Sequence, residues 1–268
     1  MGHTRLGELP KTRKWNEVVG LIAGSGLSGT VANADSYIDA IASRTLEVSR
    51  TNLIKAINDS GVQYTFYLLT QVALASRTAN WEDALAEQGI HLESDSTLFD
   101  LIVELQATID SYIRRQTPGA TDLSEMAQQS AGEALLSLAG KHTLSLFGQS
   151  SAEVRNAVRS LSTKKGFGEL GQRFFGKFLA RFLNFYLSRV TAGELGSPRL
   201  PDLGTIADFN HALEAHCNQS ARIVRDFCGE WYSKTAYQEG IDLENASRFL
   251  AVAVDKLRSE LAHQGSAS

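Results

Sequence analysis

Two cysteines in 268 residues exclude a disulfide-stapled scaffold. Four prolines are few for this length and leave room for long helices. No stretch reaches the ~20 apolar residues of a membrane span. The nearest, residues 60–76 (SGVQYTFYLLTQVALAS), is uncharged but interrupted by Gln63, Thr65, Thr70 and Gln71, and reads as a buried core helix. The opening residues, MGHTRLGELPKTRKW, lack the apolar core of a signal peptide, so a cytoplasmic location is the default expectation. Period-two alternation is missing over any convincing length, as are hairpin dipeptides between alternating runs. No internal repeat is visible, and the helical segments differ too much in length for a solenoid.

Chemical motifs are equally scarce. Gly24-Ser25-Gly26-Leu27-Ser28-Gly29 matches the spacing of a dinucleotide-binding loop. That loop works only between a strand and a helix, with an acid at the end of a second parallel strand. Here the acid at the right distance, Glu47, lies inside a long helical pattern. Gly140-Lys141-His142-Thr143 fails as a phosphate loop: Leu135 stands where the first glycine belongs and His142 where a hydroxyl residue belongs. Glu260 and His263 form a single E-x-x-H, whereas a di-iron bundle needs two plus further carboxylates. His211 and His216 are five apart and point to different sides of a helix. Cys217 and Cys228 read as core residues. No catalytic triad order and no zinc spacing is present. No cofactor and no metal are expected, and the enzyme question stays open, leaning to no.

What the chain does have is phenylalanine, concentrated in one place. Six of the twelve (Phe167, Phe174, Phe175, Phe178, Phe182, Phe185) lie in 167–190, FGELGQRFFGKFLARFLNFYLSRV. At 100° per residue its apolar side chains cover well over half the circumference, against the ~100° stripe of a helix lying on a core. Neighbours on several sides follow, so this is the central helix. Phe175, Phe178, Leu179 and Phe182 should be buried. Arg173, Lys177 and Arg181 recur every four residues on the remaining strip. Gly171 and Gly176 would let neighbours approach closely.

Around it, helical periodicity runs from about 34 to 58, 62 to 76 (after a break at Gly61), 81 to 88, 97 to 116 and 121 to 140, with a weaker extension to Phe147. It resumes over 151–161 and in one long seam from Thr205 to about Trp231, then over 243–262. Trp15–Ala23 fits either a short helix or a strand. The fold expected is all-α: a compact bundle of about ten helices around the central helix 167–190, with essentially no β-sheet. Residues 1–14 read as an extended basic arm and 15–264 as a single helical domain. The connector 191–204, with Pro198 and Pro201, can set off a hairpin 205–264.

The net charge of −4 hides an uneven distribution. Residues 1–152 carry −6, residues 153–189 carry +6, and residues 190–268 carry −4. A basic segment on an acidic molecule is a statement about partners or internal pairing. The candidate partner-binding residues are therefore Arg155, Arg159, Lys164, Lys165, Arg173, Lys177 and Arg181, joined by Trp231 and Tyr232, residue types found at binding hot spots. The reading favours a non-catalytic helical interaction subunit that binds another protein in an assembly. Its alternatives are an enzyme with an unfamiliar helical site, or nucleic-acid or anionic-membrane binding through 155–189. Nucleic acid is disfavoured by the pI of 5.9, and a membrane by an apolar arc too wide for a surface helix. Homo-oligomerisation stays open. Lys164 and Lys165 should be exposed, Arg173 and Arg181 partly buried.

Overall fold

The computed structural model describes residues 6, 9–24, 34–116, 119–142, 150–238 and 240–267, leaving aside the side chains of 34–36, 142 and 261–267. Among the described residues there are eleven α-helices, one 3₁₀ turn and no strand. Helix α1 (Arg13–Ala23) settles the ambiguous segment before the glycine loop as helix, which removes the strand a dinucleotide site requires. Its N-cap is Thr12, so Arg13 and Lys14 of the basic arm form its first turn. Leu6, further back in that arm, is buried, and its N–H donates to Asp122 at 2.6 Å. Residues 25–33, with most of the glycine motif, lie outside the described residues.

Helices α2 (Ala34–Ile57) and α3 (Ser60–Ala75) follow. Gly61 does not break the chain as expected but sits in the first turn of α3. Asp59 caps that turn, accepting from the N–H groups of Gly61 and Val62, both at 3.0 Å. A Cβ on Gly61 would stand 2.4 Å from Cβ of Ser124, so the glycine is there for close packing. Next come α4 (Trp81–Ala86), α5 (Leu98–Arg114) and α6 (Asp122–Ala139), the last two opened by capping boxes at Thr97–Asp100 and Thr121–Ser124. A 3₁₀ turn, Gly140–His142, ends α6. The weaker extension to Phe147 falls outside the described residues. Helix α7 (Ser151–Leu161) starts at its expected Ser150 cap.

Helix α8 (Lys164–Gly193) is the expected central helix, extended three residues beyond 167 and 190 at each end. Thr163 caps it, so Lys164 and Lys165 belong to its first turn rather than to a preceding loop. It packs against α2, α6 and α7, and against α9 (Leu203–Ser220) and α10 (Arg222–Gln238). Helix α11 (Leu243–Ala267) crosses to α2, α3 and α10. Phe175, Phe178, Leu179 and Phe182 are buried as expected, while Phe185 is half-buried under the Arg189 guanidinium. Phe66 of α3 joins the two halves of the core. Its ring lies 5.6–6.4 Å from those of Phe167, Phe174 and Phe175, and 5.7 Å from Phe249.

The long seam from Thr205 divides at Ala221 into α9 and α10. Glycines on α8 show why. A Cβ on Gly176 would meet Asn218 Cα at 2.8 Å, and one on Gly171 would meet Cys228 Sγ at 2.4 Å. Ten residues of the one chain are thus matched by five of the other. Helices of equal rise cannot keep that register while straight, so the chain bends between the two contacts. Cys217 and Cys228 consequently occupy different helices. Both are fully buried and reduced, and burial pushes their thiols well above the ordinary cysteine value.

Two substitutions test this arrangement. Phe178→Ala empties a buried site and should destabilise by ~3–5 kcal/mol in chemical denaturation; a midpoint near wild type would contradict the central role of α8. In Gly229→Ala a Cβ would stand 2.2 Å from the carbonyl oxygen of Lys164. It should cost ~1–3 kcal/mol, whereas Gly193→Ala, with nothing within 4 Å, should be neutral or mildly stabilising in the same assay.

Candidate functional site

The cations of the central segment meet opposite fates in the middle of α8 and at its N-terminal end. At the inner, mid-helix position Lys177 lies between two carboxylates, Glu133 of α6 at 2.8 Å and Glu214 of α9 at 2.7 Å. One turn on, Arg181 donates to Glu133 through Nη2 and to Gln129 through Nε at 3.2 Å. These groups line a polar cleft of about 240 Å³ together with Asn184, Asn210 and His211. The four-residue spacing on α8 aligns its cations, and the facing helices supply the anions. Burial alone would raise the Glu133 carboxyl, but the Lys177 hydrogen bond and the charges of Arg181 and Lys177 outweigh it and hold it below its ordinary value. Burial likewise disfavours the Lys177 ammonium, yet its two carboxylate partners hold it above its ordinary value. Both groups are driven away from neutrality, the reverse of what acid–base catalysis at physiological pH needs. This middle stretch of α8 is a neutralised structural joint with α6 and α9.

At the outer end the cations are open to solvent. Arg159, Lys164 and Lys165 are exposed, and Arg225, half-buried and paired with Asp226 at 3.2 Å, joins the two lysines from α10. Lys164, Lys165, Gly168, Glu169, Arg225 and Asp226 line a cleft of about 390 Å³. Gly168 and Gly229 bring the backbones of α8 and α10 together at its floor: a Cβ on Gly168 would stand 2.6 Å from the Arg225 carbonyl oxygen. Lys164 pairs with Glu230 at 3.0 Å, an exposed contact of small worth. Lys165 has no carboxylate within ion-pair distance among the described residues.

The chain matches no family model, no curated protein and no solved structure. The reading of this site therefore stands on its chemistry alone.

The remaining candidates are dispersed. Arg155 Nε donates to the carbonyl of Ser76 at 3.2 Å, satisfying the C-terminal end of α3. Arg173 is half-buried on α8. Trp231 is half-buried and stacked on Phe249 at 4.3 Å. Tyr232 is fully buried, stacked on Phe167 at 3.9 Å with the Arg77 guanidinium 5.2 Å from its ring. Its ring belongs to the core and presents no surface. His216 Nδ1 meets Asp39 at 2.7 Å, joining α9 to α2, while His211 lies in the inner cleft. Among the described residues no three His, Cys, Asp or Glu side chains gather as a metal site, and no helix is long and apolar enough to cross a membrane.

The inner joint gives a pH test. Glu133 titrates below its ordinary value when folded, so its contribution is present above the unfolded value and lost as pH falls through the folded one. Lys177 is held up, so its contribution is present below its unfolded value and lost as pH rises through the folded one. Glu133→Gln should lower stability near neutrality by about 1 kcal/mol, the upper end for pairs open to water. Denaturation curves of variant and wild type should converge as the medium becomes acidic. A gap that stays constant down to acid pH would contradict the pairing.

Proposed function

We propose that this protein is a non-catalytic helical interaction subunit whose outer α8 end receives an acidic segment of a protein partner. The observation that carries this is the division of the basic segment. Lys177 and Arg181 are neutralised inside the bundle, whereas Lys164 and Lys165 stand exposed at a cleft that the half-buried Arg225 also lines, and Arg159 is exposed on α7, on a molecule of net charge −4. Exposed cations on an acidic surface steer an acidic partner, and arginine adds paired hydrogen bonds to carboxylates. Close contacts at Gly168 and Gly229 hold together the two helices that present the cleft, so the backbone needs no rearrangement to bind. The side chains available there bind and orient; none is placed to carry a reaction.

The test is Lys164→Glu with Lys165→Glu. Both residues are exposed, so stability should stay within ~0.5 kcal/mol of wild type. Affinity capture from the native cell, with partners quantified by mass spectrometry, should lose at least one protein retained by wild type, and the loss should be greatest at low salt. Unchanged capture by a folded double variant would refute the reading.

A further inference from the structure

Two exposed apolar patches of this molecule are flanked by unpaired charges of opposite sign. The first lies on α5 and α6: Phe99 (54% exposed) and Val103 (44%) stand one turn apart, and Leu136 (38%) comes level with them. The register follows from two contacts. A Cβ on Gly132 would meet Ile102, and Gln128 bonds the Gln106 carbonyl and Asp110, both at 2.8 Å, so the helices run antiparallel and Leu136 faces the first turn of α5. Asp100 and Glu104 adjoin Phe99 and Val103 on α5, Asp110 lies further along the same helix, Glu93 and Asp95 precede it, and none of the five has a cation within ion-pair distance among the described residues.

The second patch lies on α10 and α11: Ile223 (44%), Phe227 (37%) and Val252 (44%). Phe227 stacks on Phe249 at 5.5 Å and carries the Lys256 ammonium 4.8 Å above its ring, which places Val252 beside it, between Phe249 and Lys256 on α11. The carboxylates here are already engaged: Glu230 with Lys164, Asp226 with Arg225, Glu244 with Arg248, Asp255 with Arg258. Arg222, Lys234 and Lys256 are left without an anion among the described residues.

We propose that the acidic α5/α6 patch of one copy docks on the basic α10/α11 patch of another, giving head-to-tail self-association. Charge complementarity commits each patch to the other. Either patch against its own copy would set like charges face to face, whereas the heterologous pairing matches signs and covers both apolar strips. The patches belong to different packing neighbourhoods, since α5 packs on α3 and α6 while α10 packs on α8, α9 and α11. A contact between two different surfaces continues from copy to copy until a ring closes or a filament forms.

Sedimentation velocity tests this with two exposed-site variants, Val103→Lys in the first patch and Ile223→Glu in the second, each setting like charges face to face in the docked pair and each confirmed as folded by its thermal melt. Wild type should form a concentration-dependent series of oligomers at low salt that dissolves at high salt. Each variant alone should be monomeric. An equimolar mixture should associate again, because Val103→Lys keeps an intact basic patch and Ile223→Glu an intact acidic one. Wild type that stays monomeric throughout overturns the proposal, as does a mixture that stays monomeric. A Val103→Lys protein that still dimerises alone also overturns it, and would indicate a two-fold contact through one patch.

Discussion

The close approach of α8 and α10 is the constraint on which the rest of the molecule depends. Backbone meets backbone at Gly168 and Gly229, and Gly171 receives the Cys228 side chain; a single added carbon at any of the three would stand 2.2–2.6 Å from its neighbour. Glycine in a helix interior costs roughly 0.5–1 kcal/mol relative to alanine. Here that cost is offset by what the approach permits: Phe167 and Tyr232 stack at 3.9 Å, and Phe66, Trp231 and Phe249 close around them. A wider α8–α10 spacing would separate those rings, open the outer cleft and remove the bend that divides α9 from α10.

The same helix does two electrical jobs. Its inner cations are internal counterions for α6 and α9, fixing how those helices sit on the core. Its outer cations are left to solvent by the geometry of its first turn. Thr163 turns the chain into α8, whose backbone already packs on α10 at Lys164 while the side chains of Lys164 and Lys165 stay in solvent. One basic segment in the sequence is thus a structural clamp over half its length and a presented surface over the rest.

The fold was largely legible. Helical periodicity located the elements, and the broad apolar arc of 167–190 identified the central one, because a helix apolar on most sides must have neighbours on most sides. Gly171 and Gly176 announced close packing. Gly61 was misread as a breaker because local propensity cannot reveal that Ser124, 63 residues away, packs on it. The bend at Ala221 left no mark either, since Ala221 is an ordinary helical residue and the cause lies in the spacing of contacts on α8. The site was half legible. The basic run was plain, but which cations are neutralised depends on Glu133 and Glu214, and nothing local links these to Lys177. Tyr232 looked like a surface aromatic because its α8 partner, Phe167, is remote in sequence.

The position of α8 along the chain has a consequence for synthesis. Seven helices precede it, and α2, α6 and α7 among them pack on it; at ~5–20 residues per second α2 is synthesised roughly 6–26 s before α8. During that interval the faces of α2, α6 and α7 that α8 will cover have nothing to close on. Folding therefore completes from the middle of the chain outward and late. The chain preceding α8 is the species whose uncovered apolar faces are most open to wrong partners.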